Sequence, residues 1–221
     1  MPRERSMGKD ENLKWLMDCG LIPVIRARSP EIAVKVANAT NEGGVNVVEI
    51  SFVTPDALEA IRTVIRDLGG KVLAGAGTVL DAESARAAIL AGAEFIVSPT
   101  LNRGVIEVCR RYSKISIPGA LTPTEILTAW ELGADIVKVF PASLGGPRYI
   151  RDLLEPLPQL RLLPTGGIGL ENAGEFIKAG AVAIAVGGAL VDRRAVEEGR
   201  FDIITENARK FMEAVGKARA S

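Results

Sequence analysis

Along the chain, short apolar, β-branched runs alternate with longer stretches in which apolar positions recur every three to four residues. The runs fall at 21–25, 45–50, 71–74, 94–97, 114–117, 135–140, 161–163 and 182–186. Each is of strand length, and the segments between them are rich in Ala, Leu and Glu at helical spacing. Many of those segments end in glycine, at Gly43, Gly69, Gly92, Gly133 and Gly180, a common helix stop. Ser29-Pro30, Thr54-Pro55, Asp81, Asn102 and Thr122-Pro123 supply start signals: a side-chain oxygen for an orphan amide, in some cases with proline at the first helical position. Ahead of the first run, 10–20 reads as a short amphipathic helix with Leu13, Leu16 and Met17 on one face and Gly20 as its stop.

Eight strands alternating with helices predict a parallel sheet, and eight is the number that closes a (β/α)8 TIM barrel, here with an extra N-terminal helix. Such barrels have about 250 residues, with about 200 as a lower end, so 221 residues require lean loops. A doubly wound open sheet would place a glycine fingerprint after the first strand. Ile25-Arg26-Ala27-Arg28 stands there instead. Residues 1–9 are charged and unpatterned and read as a mobile leader, leaving 10–221 as one α/β domain.

Composition narrows the function. Lys+Arg and Asp+Glu both number 27, so no basic face is offered to nucleic acid or to an anionic membrane, and small molecules or copies of the chain are the expected partners. No run is long enough to span a bilayer and no signal peptide is evident, which points to the cytoplasm. Cys19 and Cys109 have neither CxxC nor metal-ligand spacing and read as structural thiols. There is no histidine, which removes Ser–His and Cys–His nucleophiles and most zinc chemistry. No cofactor and no metal site is expected. Catalysis would fall to lysine, carboxylates, hydroxyls and backbone dipoles.

In this fold the active site lies at the carboxyl ends of the strands, and the polar residues of the runs collect there. Lys138 interrupts 135–140, a stretch apolar enough to be buried on both faces. Alternation sends Ile136, Lys138 and Phe140 one way. Burial disfavours the ammonium and yields a neutral, nucleophilic amine; the bland alternative is a lysine whose head snorkels to solvent. Glu49 shares a face with Val47 and Ser51, where it acts as a proton carrier or as a structural partner of Lys138 or Arg26. An ion pair would raise the lysine pKa and oppose desolvation. Gly75-Ala76-Gly77-Thr78 reads as a tight turn whose threonine hydroxyl is free for a carboxylate. Thr165-Gly166-Gly167 and Gly187-Gly188 follow the seventh and eighth runs, where backbone amides of this fold hold phosphate.

Taken in order, Val-Glu-Ile-Ser at 48–51, Gly-Ala-Gly-Thr-Val at 75–79, Val-Ser-Pro at 97–99, Pro-Gly at 118–119, Val-Lys-Val-Phe-Pro-Ala at 137–142 and Pro-Thr-Gly-Gly-Ile at 164–168 resemble the 2-keto-3-deoxy-6-phosphogluconate (KDPG) and 4-hydroxy-2-oxoglutarate (KHG) aldolase family. The resemblance runs from Leu21 to about Val215. It implies a class I aldolase in which Lys138 forms the Schiff base and Glu49 moves protons, releasing pyruvate and glyceraldehyde 3-phosphate. It further implies that Thr78 and Thr165 contact the pyruvyl part, that Phe140 lines the pocket, that Gly166, Gly167, Gly187 and Gly188 hold phosphate, and that the chain forms a homotrimer. Two positions depart from the family's pattern. Many members carry an arginine shortly after the strand-two glutamate, but this chain reads Phe52-Val53-Thr54, leaving Arg26 as the nearest cation for a substrate carboxylate. Gly188 stands where a serine often follows the first glycine. Rival readings are a lyase for 4-hydroxy-2-oxoglutarate or 2-keto-3-deoxy-6-phosphogalactonate, and a non-catalytic barrel that binds a phosphorylated metabolite.

Overall fold

The computed structural model describes residues 8–220, so the leader expected at 1–9 falls mostly outside the described residues; Lys9 itself opens a helix, Lys9–Cys19. Gly20 ends that helix in the left-handed conformation at φ 71°. Lys9 pairs with Asp135 at 2.8 Å, and Asn12 donates to Glu94 at 2.9 Å. Both acids lie just before strands begin, so the helix is tied across the amino-terminal mouth of the sheet and leaves the carboxyl end open.

The strands are β1 (Leu21–Ile25), β2 (Val47–Ser51), β3 (Leu73–Gly77), β4 (Phe95–Val97), β5 (Ile115–Ile117), β6 (Gly119–Ala120), β7 (Val137–Val139), β8 (Leu162–Pro164) and β9 (Ile184–Val186). All pair in parallel, in the orders β5-β4-β3-β2-β1-β9 and β6-β7-β8. A parallel bridge between Thr165 and Ala185 joins β8 to β9. On the other side β5 and β6 are two halves of one strand, separated by Pro118, which has no N–H to give a ladder. Its carbonyl still accepts from Lys138 N at 2.9 Å, and the Ser116 carbonyl from Asp135 N at 3.1 Å. The ring is therefore closed, with eight strands as the alternation of runs predicts and the fifth one broken. Every strand residue is buried, as expected where helices cover one face and packed side chains the other.

After β1, strand starts lie later than the apolar runs suggest, for a reason that recurs. Val45 N bonds the Thr40 carbonyl and Gly44 N the Asn41 carbonyl, with Gly44 at φ 93°. This is the six-to-one closure that satisfies a helix's last carbonyls, and it places an apolar residue just past the glycine. Val45 is thus the end of a helix cap rather than the start of β2. Lys114, bonded to the Cys109 carbonyl, is displaced from β5 in the same way. Ser29, Asp81, Asn102 and Thr122 cap helices as expected, each accepting from the amide three residues on. Thr54 does not: the helix Ala57–Leu68 starts from Asp56, and Thr54 Oγ1 instead accepts from Ala27 N at 3.2 Å, tying the β2 loop to the β1 loop.

The segment Gly75–Thr78, expected as a turn, is a second correction. Residues 73 to 77 pair in unbroken register with 47 to 51, so both glycines belong to β3. The Phe95 ring fills the space that a side chain on Gly75 would occupy, and the Glu49 side chain does the same at Gly77. The glycines clear room inside the barrel for a neighbour's ring and for a carboxylate.

Candidate active site

Register fixes which side chains share the barrel interior, because partners in a parallel ladder point to the same face. Val24, Glu49 and Gly75 are partners, as are Gly119, Lys138 and Leu163. Two residues beyond Leu163, Thr165 is bridged to Ala185, itself the partner of Ile22. Moving two residues towards the carboxyl ends keeps the face, so Arg26, Ser51, Gly77, Phe140 and Gly187 follow on it. The structure thus gathers Arg26, Glu49, Lys138, Phe140 and Thr165 at one end of one interior.

Glu49 is 1% exposed and Lys138 6%. Burial pushes the Glu49 carboxyl above its ordinary range, and the Lys138 and Arg26 charges pull it back less strongly. Burial likewise pushes the Lys138 ammonium below its ordinary range; the Glu49 carboxylate opposes this and Arg26 reinforces it. Desolvation therefore outweighs attraction on both sides, which favours a neutral amine beside a protonated acid. Lys138 Nζ lies over the Phe140 ring, 5.0 Å from its centroid. That ring belongs to the next residue along on the same face, and Phe140 is itself exposed.

Buried polar atoms nearly always find hydrogen-bond partners. Glu49 Oε2 and Thr165 Oγ1 have none, and both belong to this interior. An acceptor and a hydroxyl held dry and unpartnered at one end of a barrel are suited to a ligand's polar atoms. Thr78 is held at φ 60°, in the left-handed region that a β-branched residue rarely adopts. Its Oγ1 lies 2.8 Å from the buried Ser51 Oγ. Ser51 is thus a site residue whose place on the Glu49 face was legible but whose partnership with Thr78 was not.

Gly166 and Gly167 sit at φ 94° and 71°. Asn172 braces their loop, donating to the Gly167 carbonyl at 2.9 Å and accepting from Gly169 N at 3.0 Å. Sequence reasoning missed this residue; its one signal is its position ahead of the helix Ala173–Lys178. Gly187 O accepts from Leu190 N and Val191 N, which turns the chain at Gly188. Arg26 is exposed and extends over Gly187: a Cβ there would lie 3.0 Å from its Nη1. Val53, at the position of the missing arginine, is 60% exposed.

A closed parallel barrel with a desolvated lysine and a desolvated acid on its inner face has the parts that lysine-dependent, Schiff-base chemistry requires. Residues 13–207 match the aldolase family described as KDPG and KHG aldolase. The 2-dehydro-3-deoxy-phosphogluconate aldolase of Treponema pallidum is 39% identical over 197 residues, covering 89% of this chain and 93% of its own. The 2-dehydro-3-deoxy-6-phosphogalactonate aldolase of Escherichia coli is 33% identical over 196 residues, covering 86% and 96%. Among solved structures, the KDPG aldolase of Legionella pneumophila, with pyruvate captured as a covalent carbinolamine, superposes with a TM-score of 0.83 at 28% identity over 90% of this chain and 96% of that one. The chain belongs to the KDPG and KHG aldolase family. It is a carbon–carbon lyase of the class I, pyruvate-forming type.

Proposed function

We propose that the chain cleaves 2-keto-3-deoxy-6-phosphogluconate to pyruvate and glyceraldehyde 3-phosphate through a Schiff base on Lys138. The observation that carries this is the buried pair itself: an amine and an acid on one inner face, both driven towards neutrality, with Glu49 Oε2 unpartnered. Neutral Lys138 attacks the C2 carbonyl, and protonated Glu49 delivers the proton with which the carbinolamine loses water. Glu49, now a carboxylate, removes the C4 hydroxyl proton. The C3–C4 bonding pair then flows into the iminium, releasing the aldehyde and leaving an enamine. Glu49 gives that proton to C3, and water hydrolyses the resulting iminium to free pyruvate and neutral Lys138, the proton released in this step returning to Glu49. The water lost in the first step is regained in the last.

Around this centre, Thr78, braced by Ser51, and Arg26 hold the carboxylate, Thr165 bonds the pyruvyl oxygens and Phe140 walls the pocket. The amides of Gly166, Gly167, Gly187 and Gly188 receive the phosphate. The same chemistry serves the galactonate epimer and 4-hydroxy-2-oxoglutarate, so kcat/KM across the three substrates determines the preference. The protein works as a cytoplasmic homotrimer; exposed Val53, Leu80 and Leu90 supply apolar surface for the interface, and light scattering of the purified protein measures the assembly. No helix among the described residues is long and apolar enough to cross a membrane. The decisive experiment is reduction with borohydride in the presence of pyruvate: one reduced pyruvyl group adds to Lys138. No addition would leave a barrel that binds its ligand without Schiff-base chemistry.

A further inference from the structure

Next to the buried lysine and acid lies a space of about 440 Å³, lined by Arg26, Arg28, Gly188, Arg193 and Glu197 over an apolar floor that includes Val24. It opens at the carboxyl end of the barrel, where the loop after β1 meets the loop after β9. Arg26 connects this space to the buried pair, since its charge is felt by both Glu49 and Lys138 while its guanidinium lies over Gly187. Two guanidinium groups meet one carboxylate here. Glu197 Oε1 accepts from Arg193 Nε at 2.9 Å and also from Arg28 Nη2. The carboxylate thus stands between two arginines whose planar donors match an oxyanion.

We propose that this space is a phosphomonoester subsite in which Arg28 and Arg193 exchange the Glu197 carboxylate for a phosphate dianion. The proposal rests on the aldolase reading and adds to it side-chain recognition and an internal competitor. Three features favour it. The pocket borders Gly188, which offers an amide but no hydroxyl, so a dianion there needs charge from elsewhere. Both arginines are highly exposed, and exposed ion pairs are weak enough to exchange. A dianion carrying three acceptor oxygens engages two guanidinium groups more fully than one carboxylate oxygen does. Glu197 then sets the threshold: it keeps the arginines aligned when the site is empty and disfavours ligands with weaker charge than phosphate.

The test uses the full-length protein with inorganic phosphate as probe, alongside paired substrates with and without the terminal phosphate. Arg28→Ala and Arg193→Ala should each raise KM for the phosphorylated substrate about tenfold, a modest loss for a charged hydrogen bond. They should leave kcat, the non-phosphorylated substrate and borohydride trapping of pyruvate unchanged. Glu197→Gln should tighten inorganic phosphate several-fold and lower the same KM. Phosphate inhibition competitive with substrate assigns the pocket to the substrate's own phosphate. Non-competitive inhibition that the arginine variants relieve assigns it to a separate phosphorylated metabolite. Phosphate affinity unchanged in all three variants overturns the proposal, and intact pyruvate trapping in those samples shows that the Schiff-base reading survives it.

Discussion

Lys138→Met separates a reacting amine from a structural cation, because the two roles predict opposite outcomes in a single sample. Methionine keeps the length of the stem and supplies no nucleophile. Holding a group neutral at pH 7 costs about 1.4 kcal/mol per pH unit between pH 7 and its ordinary pKa. From the ordinary values of 4.5 for glutamate and 10.5 for lysine, holding Glu49 neutral at pH 7 costs less than holding Lys138 neutral. The variant keeps only the first of these. If desolvation dominates, as the directions of both shifts indicate, Lys138→Met is as stable as the parent or more so, and 1 kcal/mol moves Tm by about 2–4 °C at this size. The sign also varies with pH. Lys138 has a lowered pKa, so its contribution to stability is complete above 10.5 and is lost as pH falls; the gain from removing it is therefore larger at pH 6 than at pH 9. Glu49 has a raised pKa, so its contribution is present below 4.5 and is lost as pH rises, and the variant itself weakens as pH rises above 4.5. Differential scanning fluorimetry across pH, with borohydride-dependent mass addition on the same material, reads both quantities. Expected are a retained or higher Tm and no pyruvate adduct. A structural ion pair would instead leave Glu49 buried and uncompensated, at a cost of about 3–5 kcal/mol, with activity persisting in the folded fraction. That pattern, or a retained adduct, refutes the reasoning.

Three further outcomes follow from the same geometry. Glu49→Gln should still form a pyruvate adduct, slowly, but lose about 10²–10⁴-fold in cleavage, the range for a positioned acid–base; stopped-flow release of aldehyde separates the two steps. Gly77→Ala puts a methyl group where the Glu49 carboxylate now lies, so it should cost about 1–3 kcal/mol of stability and a larger share of kcat than of KM, measured by urea melts and steady-state kinetics. Arg26→Ala should chiefly raise KM for pyruvate-forming substrates, by the roughly 1.5–3 kcal/mol of a charged hydrogen bond, and an unchanged KM transfers the carboxylate to Thr78 and backbone amides.

What could be read from the chain, and what could not, divides along the range of the forces involved. Alternation within a strand and the directionality of the barrel are local rules, and they suffice to bring Glu49 and Lys138 to one face and one end, as register then shows. The glycines of β3 read as a turn because a residue without a side chain carries no periodicity; their cause lies on the neighbouring strands, in the Phe95 ring and the Glu49 carboxylate. Val45 reads as strand because it is apolar and adjacent, whereas its amide belongs to the preceding helix. Thr54 looks like a cap, and the amide it serves is 27 residues away in another loop. The arginine pocket lies furthest from any local rule. Arg28 and Glu197 are 169 residues apart, and barrel closure, with β9 paired to β1, brings the first and last units together. A feature created by barrel closure leaves no periodic trace in either segment. The same closure gives the pocket its place, since it seats charge from both ends of the chain against the loop where the barrel presents Gly188.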